Sequence, residues 1–305
     1  MILKLTELDT PPEIYGAKRA DEVNAIVDKW SEMHGVERAF VTGLLMRYAP
    51  RKVLELGVSA GGGSIVIANA IRDIAGAHLH SVDLFEHCYK DKQKPSGWMV
   101  NEFMPELSDI WTPHLGKDIS EVADSIGEID FLVLDTAHIH PVETINLLCA
   151  LPYLKDGAVV VLHDISLHLL RGGYATASYA CRLLFDSVAA DKLTPKEKYA
   201  PSPNIGAFQI SEDTRKYVYN LFSNLFLPWG RPYSKPWQEI IPPRLIGTYT
   251  DLFGRFYGAE YREMFQDACA AQDNLYKEVS YLTFVKILCG QFVRGTVKLM
   301  KGSSK

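Results

Sequence analysis

Four apolar runs of this chain close on acidic residues, and two of them bring histidine alongside. Val53-Leu54-Glu55-Leu56 runs into Gly57-Val58-Ser59-Ala60-Gly61-Gly62-Gly63-Ser64. Leu79 to Val82 ends at Asp83. Phe131 to Leu134 ends at Asp135, with His138 three residues on, and Val159 to Leu162 ends at His163-Asp164. Glycines let ligand atoms approach the backbone where a Cβ would clash. A helix that follows such a turn offers free N–H groups to a ligand. Carboxylates at strand ends accept strong hydrogen bonds from sugar hydroxyls. An imidazole that titrates near neutrality can take a proton from a reacting hydroxyl.

Strands and helices must alternate to bring these residues together. The pattern predicts helices over 21–48, closed by Pro50, then a strand over Lys52–Leu56 and a helix to about Ile74. A second strand follows at Leu79–Val82, a polar loop or lid at Glu86–Trp98 and a third strand near Ile110–Pro113. Then come a helix at Ile119–Ile126, a strand at Ile129–Leu134, a helix at about Pro141–Leu151 and a strand at Val159–Leu162. A helix at about Ala175–Ala189 and a strand within Pro203–Ile210 complete the series. Continuous apolar runs mark strands covered on both faces, and the alternation implies right-handed crossovers in a parallel sheet. The expected fold is α/β, Rossmann-like and doubly wound. Its mostly parallel seven-stranded sheet has an antiparallel closing strand. The expected division is an N-terminal helical segment (1–48), a ligand-binding domain (49–211) and a helical, aromatic-rich extension (212–305). In such sheets the ligand lies beyond the carboxyl ends of the strands, which gathers Glu55, Asp83, Asp135 and Asp164 around one crevice.

The glycine spacing narrows the ligand. Ser59 stands where G-x-G-x-x-G requires its second glycine, and no lysine follows Gly63, so the dinucleotide and P-loop patterns fail. The remaining Glu-x-Gly-x-x-x-Gly resembles the first motif of class I S-adenosylmethionine (SAM)-dependent methyltransferases. The segments Ile129 to His138 and Leu154 to Asp164 resemble the O-methyltransferase branch. That resemblance covers about residues 50–210. It implies SAM contacts from Glu55, Gly57, Ser59, Gly61, Ser64, Asp83 and Asp118, with Asp83 on the ribose hydroxyls and His114 to Asp118 beside the adenine. It implies catalysis by Asp135, His138, His163 and Asp164. Metal-dependent members would hold Mg2+ at positions matching Asp135, His163 and Asp164, although His163 departs from the usual oxygen ligand. Without a metal, His138 or His163 serves as general base. The acceptor is expected to be a small molecule or glycan. The alternatives are an NAD-dependent oxidoreductase on the same fold and a non-catalytic SAM-binding scaffold.

Composition agrees with a globular protein of 305 residues, 47% hydrophobic and 23% charged. A net charge of −5 gives no basic footprint for nucleic acid. Cys88, Cys149, Cys181, Cys269 and Cys289 form no C-x-x-C pair, which argues for inert thiols in a reducing, cytoplasmic setting. Neither a secretory h-region nor an apolar run of about 18 residues is present. Residues 279–305 are basic and apolar without an acid, the pattern of a helix that docks on the enzyme, on a second subunit or on an anionic membrane surface. Tyr249, Phe253, Phe256, Tyr257 and Tyr261 read as core or as an acceptor groove.

Overall fold

A computed structural model describes residues 3–170, 179–196, 203–230 and 240–278. In chain order the elements are α1 (Pro12–Tyr15), α2 (Ala17–Val27), α3 (Gly35–Tyr48), β1 (Lys52–Leu56), α4 (Gly62–Ile71), β2 (His78–Asp83), α5 (Trp98–Phe103) and β3 (Trp111–Leu115). There follow α6 (Ile119–Ile126), β4 (Ile129–Leu134), α7 (Val142–Ala150), β5 (Leu154–His163), α8 (Leu167–Leu170), α9 (Ala180–Ser187), β6 (Lys192–Leu193) and β7 (Ile205–Gln209). The chain continues through α10 (Glu212–Lys216), α11 (Tyr219–Asn224), α12 (Pro243–Tyr257) and α13 (Ala259–Glu278).

The sheet has seven strands in the order β3-β2-β1-β4-β5-β7-β6, and β7 runs antiparallel to both of its neighbours. This is the expected mostly parallel sheet with its antiparallel closing strand. The apolar runs explain the order. Val53, Leu54, Phe131, Leu132, Val159, Val161 and Leu162 are fully buried, so β1, β4 and β5 occupy the centre, covered on both faces. One layer of core joins α6, α7, α9 and α11 to α12 and α13 through Phe222, Trp229, Phe253 and Phe265. The other joins α2, α3, α4 and α5 through Phe40, Leu44, Ile65 and Met99. The helices after residue 212 therefore share the core of the sheet. Among the expected aromatic residues, Phe253, Tyr257 and Tyr261 gather around Phe222, while Tyr249 also reaches the cavity described below.

Several local differences bear on the site. The helical stretch expected over 21–48 is interrupted at 28–34, where the chain passes over the glycine turn; Gly62 accommodates it, because a Cβ there would stand 2.9 Å from the Ser31 backbone. The expected lid is anchored, since Glu32 takes the Tyr89 hydroxyl and pairs with Lys90 at 2.7 Å. Part of the helix expected at 175–189 and all of the basic segment 279–305 lie outside the described residues, as does Cys289. No helix among the described residues is long and apolar enough to cross a membrane.

Candidate active site

The glycine turn is shaped by what its missing side chains leave room for. Gly57 has φ +92°, and a Cβ there would fall 1.8 Å from the carbonyl oxygen of Asp135. Its glycine thus lets the ends of β1 and β4 close together, an approach a side chain would block. Asp83, at the end of β2, ties the turn down. One of its oxygens accepts the backbone N–H of Val58 at 3.0 Å and of Ser59 at 3.1 Å, and the other accepts that of Phe85 at 2.9 Å. Glu55 lies beneath. Its Oε2 accepts the hydroxyls of Ser64 at 2.6 Å and Ser81 at 2.5 Å, and the Trp111 indole donates to Ser81 at 2.8 Å. Burial outweighs these donors, and the nearby Asp135 and Asp83 add to it, so the Glu55 carboxyl is pushed up to about 8.

A cavity of about 1180 Å3 runs along the carboxyl ends of the strands. Single-ligand pockets hold roughly 300–1,000 Å3, so this one has room for a cofactor and a second small molecule. It stretches from Asp118, beyond β3, past Asp83 and Gly57 to Asp135 and Asp164, beyond β4 and β5. That is four strand spacings of about 4.8 Å, roughly 19 Å. Trp30 to His34 form one wall, and Ile240, Ile241, Leu245 and Tyr249 from the C-terminal part form another. Asp118 caps α6 through the N–H of Ser120 and accepts the Tyr249 hydroxyl at 2.9 Å. Burial raises the Asp118 carboxyl above its ordinary value.

The titratable groups cluster at the other end. His138 Nε2 stands 3.0 Å from Asp164 Oδ2 and 3.5 Å from Asp135 Oδ1, while Nδ1 faces Cys181 Sγ at 3.6 Å. The backbone N–H of His138 donates to the buried Glu143. Asn204 donates to Asp164 Oδ1 at 2.7 Å. His163 is enclosed behind this group. Its Nδ1 lies 3.2 Å from Asp135 Oδ1 and 3.7 Å from Asp164 Oδ1, and its Nε2 lies 3.3 Å from Glu37 Oε2 as an ion-pair contact. Burial opposes a charge on His163, but Asp135, then Glu37 and Asp164, outweigh it and hold the ring well above the ordinary histidine value. Asp135 and Glu37 are likewise held below the usual carboxylate range, their burial overcome by His163. Ser59, His138 and Asp164 have φ of +52°, +55° and +60°. Left-handed backbone at non-glycine residues is uncommon and gathers at functional sites.

Of the residues singled out in the sequence, Glu55, Gly57, Ser59, Asp83, Asp118, Asp135, His138 and Asp164 line the one cavity. Gly61, Ser64 and His163 do not. Gly61 packs on Gly97, whose Cα would lie 2.9 Å from a Cβ at 61, and Ser64 is buried against Glu55. Asp135, His138 and Asp164 bring ligand-capable atoms within 4.8 Å of one another, as do His138, Glu143 and Cys181. Sequence reasoning missed Glu37, Asn204 and the Trp30–His34 wall. Glu37 carries a faint signal, a carboxylate three residues after His34 at a helix start, followed by the apolar face of Phe40 and Val41.

A family model described as "Methyltransferase domain" matches residues 54–165. No curated protein matches the chain. Among solved structures, the O-methyltransferase TomG from Streptomyces achromogenes in complex with SAM is 15% identical, with a TM-score of 0.45 over 64% of this chain and 89% of that one. An O-methyltransferase from Bacillus cereus in complex with S-adenosylhomocysteine (SAH) gives 15%, 0.45, 64% and 90%. The MycE methyltransferase of the mycinamycin pathway, in complex with Mg, SAH and mycinamycin VI, gives 14%, 0.44, 64% and 55%. Residues 54–165, which include the Glu-x-Gly-x-x-x-Gly turn and the carboxylate-ended strands β1, β2, β4 and β5, thus match a methyltransferase domain.

Proposed function

We propose that the protein transfers the methyl group of SAM to a hydroxyl oxygen of a small-molecule or glycan acceptor, with His138 as general base. The observation that carries this reading is the placement of His138 at the cavity edge, its Nε2 facing both Asp164 and Asp135. SAM laid along the cavity has its adenine toward Asp118, its ribose at Asp83 and its methionine part at the glycine turn above Glu55. The sulfonium then points toward Asp135 and Asp164, whose negative charge favours it.

The acceptor hydroxyl gives its proton to the His138–Asp164 pair, whose Nε2 and Oδ2 stand 3.0 Å apart, as the oxygen attacks the methyl carbon in line. The bond from carbon to sulfur breaks, and its electrons stay on sulfur, leaving SAH. The transferred proton stays within this cluster, where Asp164 and Asp135 lie 3.0 and 3.5 Å from Nε2 and stabilise positive charge on the ring. The protein otherwise contributes position, because SAM carries its own leaving group. Incubation with methyl-labelled SAM and a panel of phenolic, sugar and glycan acceptors tests the reading. Label transferred to an oxygen, and lost in His138→Gln, supports it. SAM binding without transfer to any acceptor favours a scaffold instead.

A further inference from the structure

The His138 ring stands between two groups of donor atoms, one at each nitrogen. Nε2 faces the carboxylates of Asp135 and Asp164, and Nδ1 faces Cys181 Sγ at 3.6 Å and Glu143 Oε1 at 4.0 Å. The second group takes no part in the transfer proposed above. Its nitrogen, sulfur and oxygen atoms all lie within 4.8 Å of one another. Cys181 comes from α9 and Glu143 from the first turn of α7; both are only 1% exposed, whereas His138 borders the cavity. Glu143 is fixed through Oε1, which accepts the Thr136 hydroxyl at 3.1 Å and the backbone N–H of His138. Its Oε2 is buried and has no hydrogen-bond partner among the described residues. A buried carboxylate oxygen without a partner carries an uncompensated desolvation cost, which a bound cation would remove.

The donor set selects the ion. Magnesium prefers oxygen ligands, which the Nε2 side of the ring offers, whereas imidazole, thiolate and carboxylate together suit zinc. The spacing agrees. A nitrogen about 2.05 Å and a sulfur about 2.3 Å from one tetrahedral ion stand about 3.5–3.6 Å apart. Nδ1 and Sγ are 3.6 Å apart. The carboxylate is farther out, at 4.0 Å against about 3.4 Å for a tetrahedral pair, and turning its broad terminal torsion brings an oxygen inward. We propose that His138 Nδ1, Cys181 Sγ and Glu143 form a binding site for a zinc-like divalent ion, reached from the cavity past His138. Three protein ligands leave a fourth position for water. The thiol releases its proton to solvent on binding, because the thiolate is the ligand. An ion on Nδ1 places positive charge beside the His138–Asp164 pair and so weakens it as a proton acceptor, and occupancy slows methyl transfer. That consequence rests on the reading of the cavity as a methyltransferase site; the ion site itself does not.

Titration of the intact chain with Co2+, a coloured substitute for zinc, tests the site. Saturable one-to-one binding is expected, with the visible bands of a tetrahedral ion and a thiolate-to-cobalt charge-transfer band in the near ultraviolet. Zn2+ should displace the colour. Cys181→Ser should abolish the charge-transfer band and weaken Co2+ at least about tenfold. Should that variant not fold, Glu143→Gln is the second probe, expected to keep the band and to weaken Co2+ about tenfold. Asp135→Asn should leave the band in place. Binding without the band, lost in Asp135→Asn and kept in Cys181→Ser, would put the ion on the oxygen side of the ring and overturn the proposal. Absence of saturable binding up to about 1 mM would overturn it as well. SAM titration of the same sample separates the two readings. A chain that shows the band but binds no SAM keeps the ion site and loses only the effect on transfer. Where transfer is measured, Zn2+ should slow the wild type at least about tenfold more than Cys181→Ser, and equal slowing of both would refute that effect.

Discussion

Glutamine at position 55 should make the fold less sensitive to alkali. The Glu55 carboxyl is raised from 4.5 to about 8, chiefly by burial. A carboxyl raised in the folded state contributes stability that is complete below the unfolded value and is lost as pH rises through the folded one. Between roughly pH 4.5 and 8 the folded chain holds a proton that the unfolded chain has released, and each pH unit costs about 1.4 kcal/mol. From about pH 5.5 to about pH 7.5 the wild type should therefore lose about 2–3 kcal/mol relative to Glu55→Gln. Glutamine keeps an oxygen for Ser64 and Ser81 but sets an N–H2 near Met33 and Gly63, a cost of about 1 kcal/mol that does not vary with pH. The assay is urea unfolding of both proteins across this range. The variant should start level with or below the wild type at acid pH and overtake it as pH rises. Parallel curves would show that Glu55 is ionised throughout and that its burial does not govern its charge.

Other substitutions probe the remaining parts of the site. Asp83→Ala removes the acceptor of three backbone N–H groups, and its SAM affinity should fall by about 1–3 kcal/mol, roughly five- to 150-fold by calorimetry. His138→Gln should lower kcat by about 10²–10⁴ while leaving the Kd for SAM within about twofold. Gly57→Ala drives a Cβ into the Asp135 carbonyl at a positive φ, and the thermal midpoint should drop by an amount equivalent to about 3 kcal/mol or more.

The sequence was most legible where burial is nearly total. The runs at Ile129–Leu134 and Val159–Leu162 can only be central strands, and the acidic residues that end them follow from the sheet rule without further information. Local pattern also located the glycine turn, but not the purpose of each glycine. Gly61 reads like a ligand contact, and the fold adds that Gly97 packs where its Cβ would be, because the partner of a glycine is set by tertiary packing. His163 and His138 look equivalent in the chain, each at a strand end beside an aspartate. Only the fold distinguishes the ring that faces the cavity from the one that faces Glu37, 126 positions away in the chain. Asn204 and the Trp30–His34 wall stayed hidden for the same reason: they reach the site from distant segments and carry no periodicity of their own.

Calorimetric titration of the intact chain with SAM and, separately, with NAD puts the cavity to its most direct test. Saturable one-to-one binding of SAM, displaced by SAH and weakened in Asp83→Ala, is the expected result. Saturable binding of NAD with no heat from SAM would contradict it.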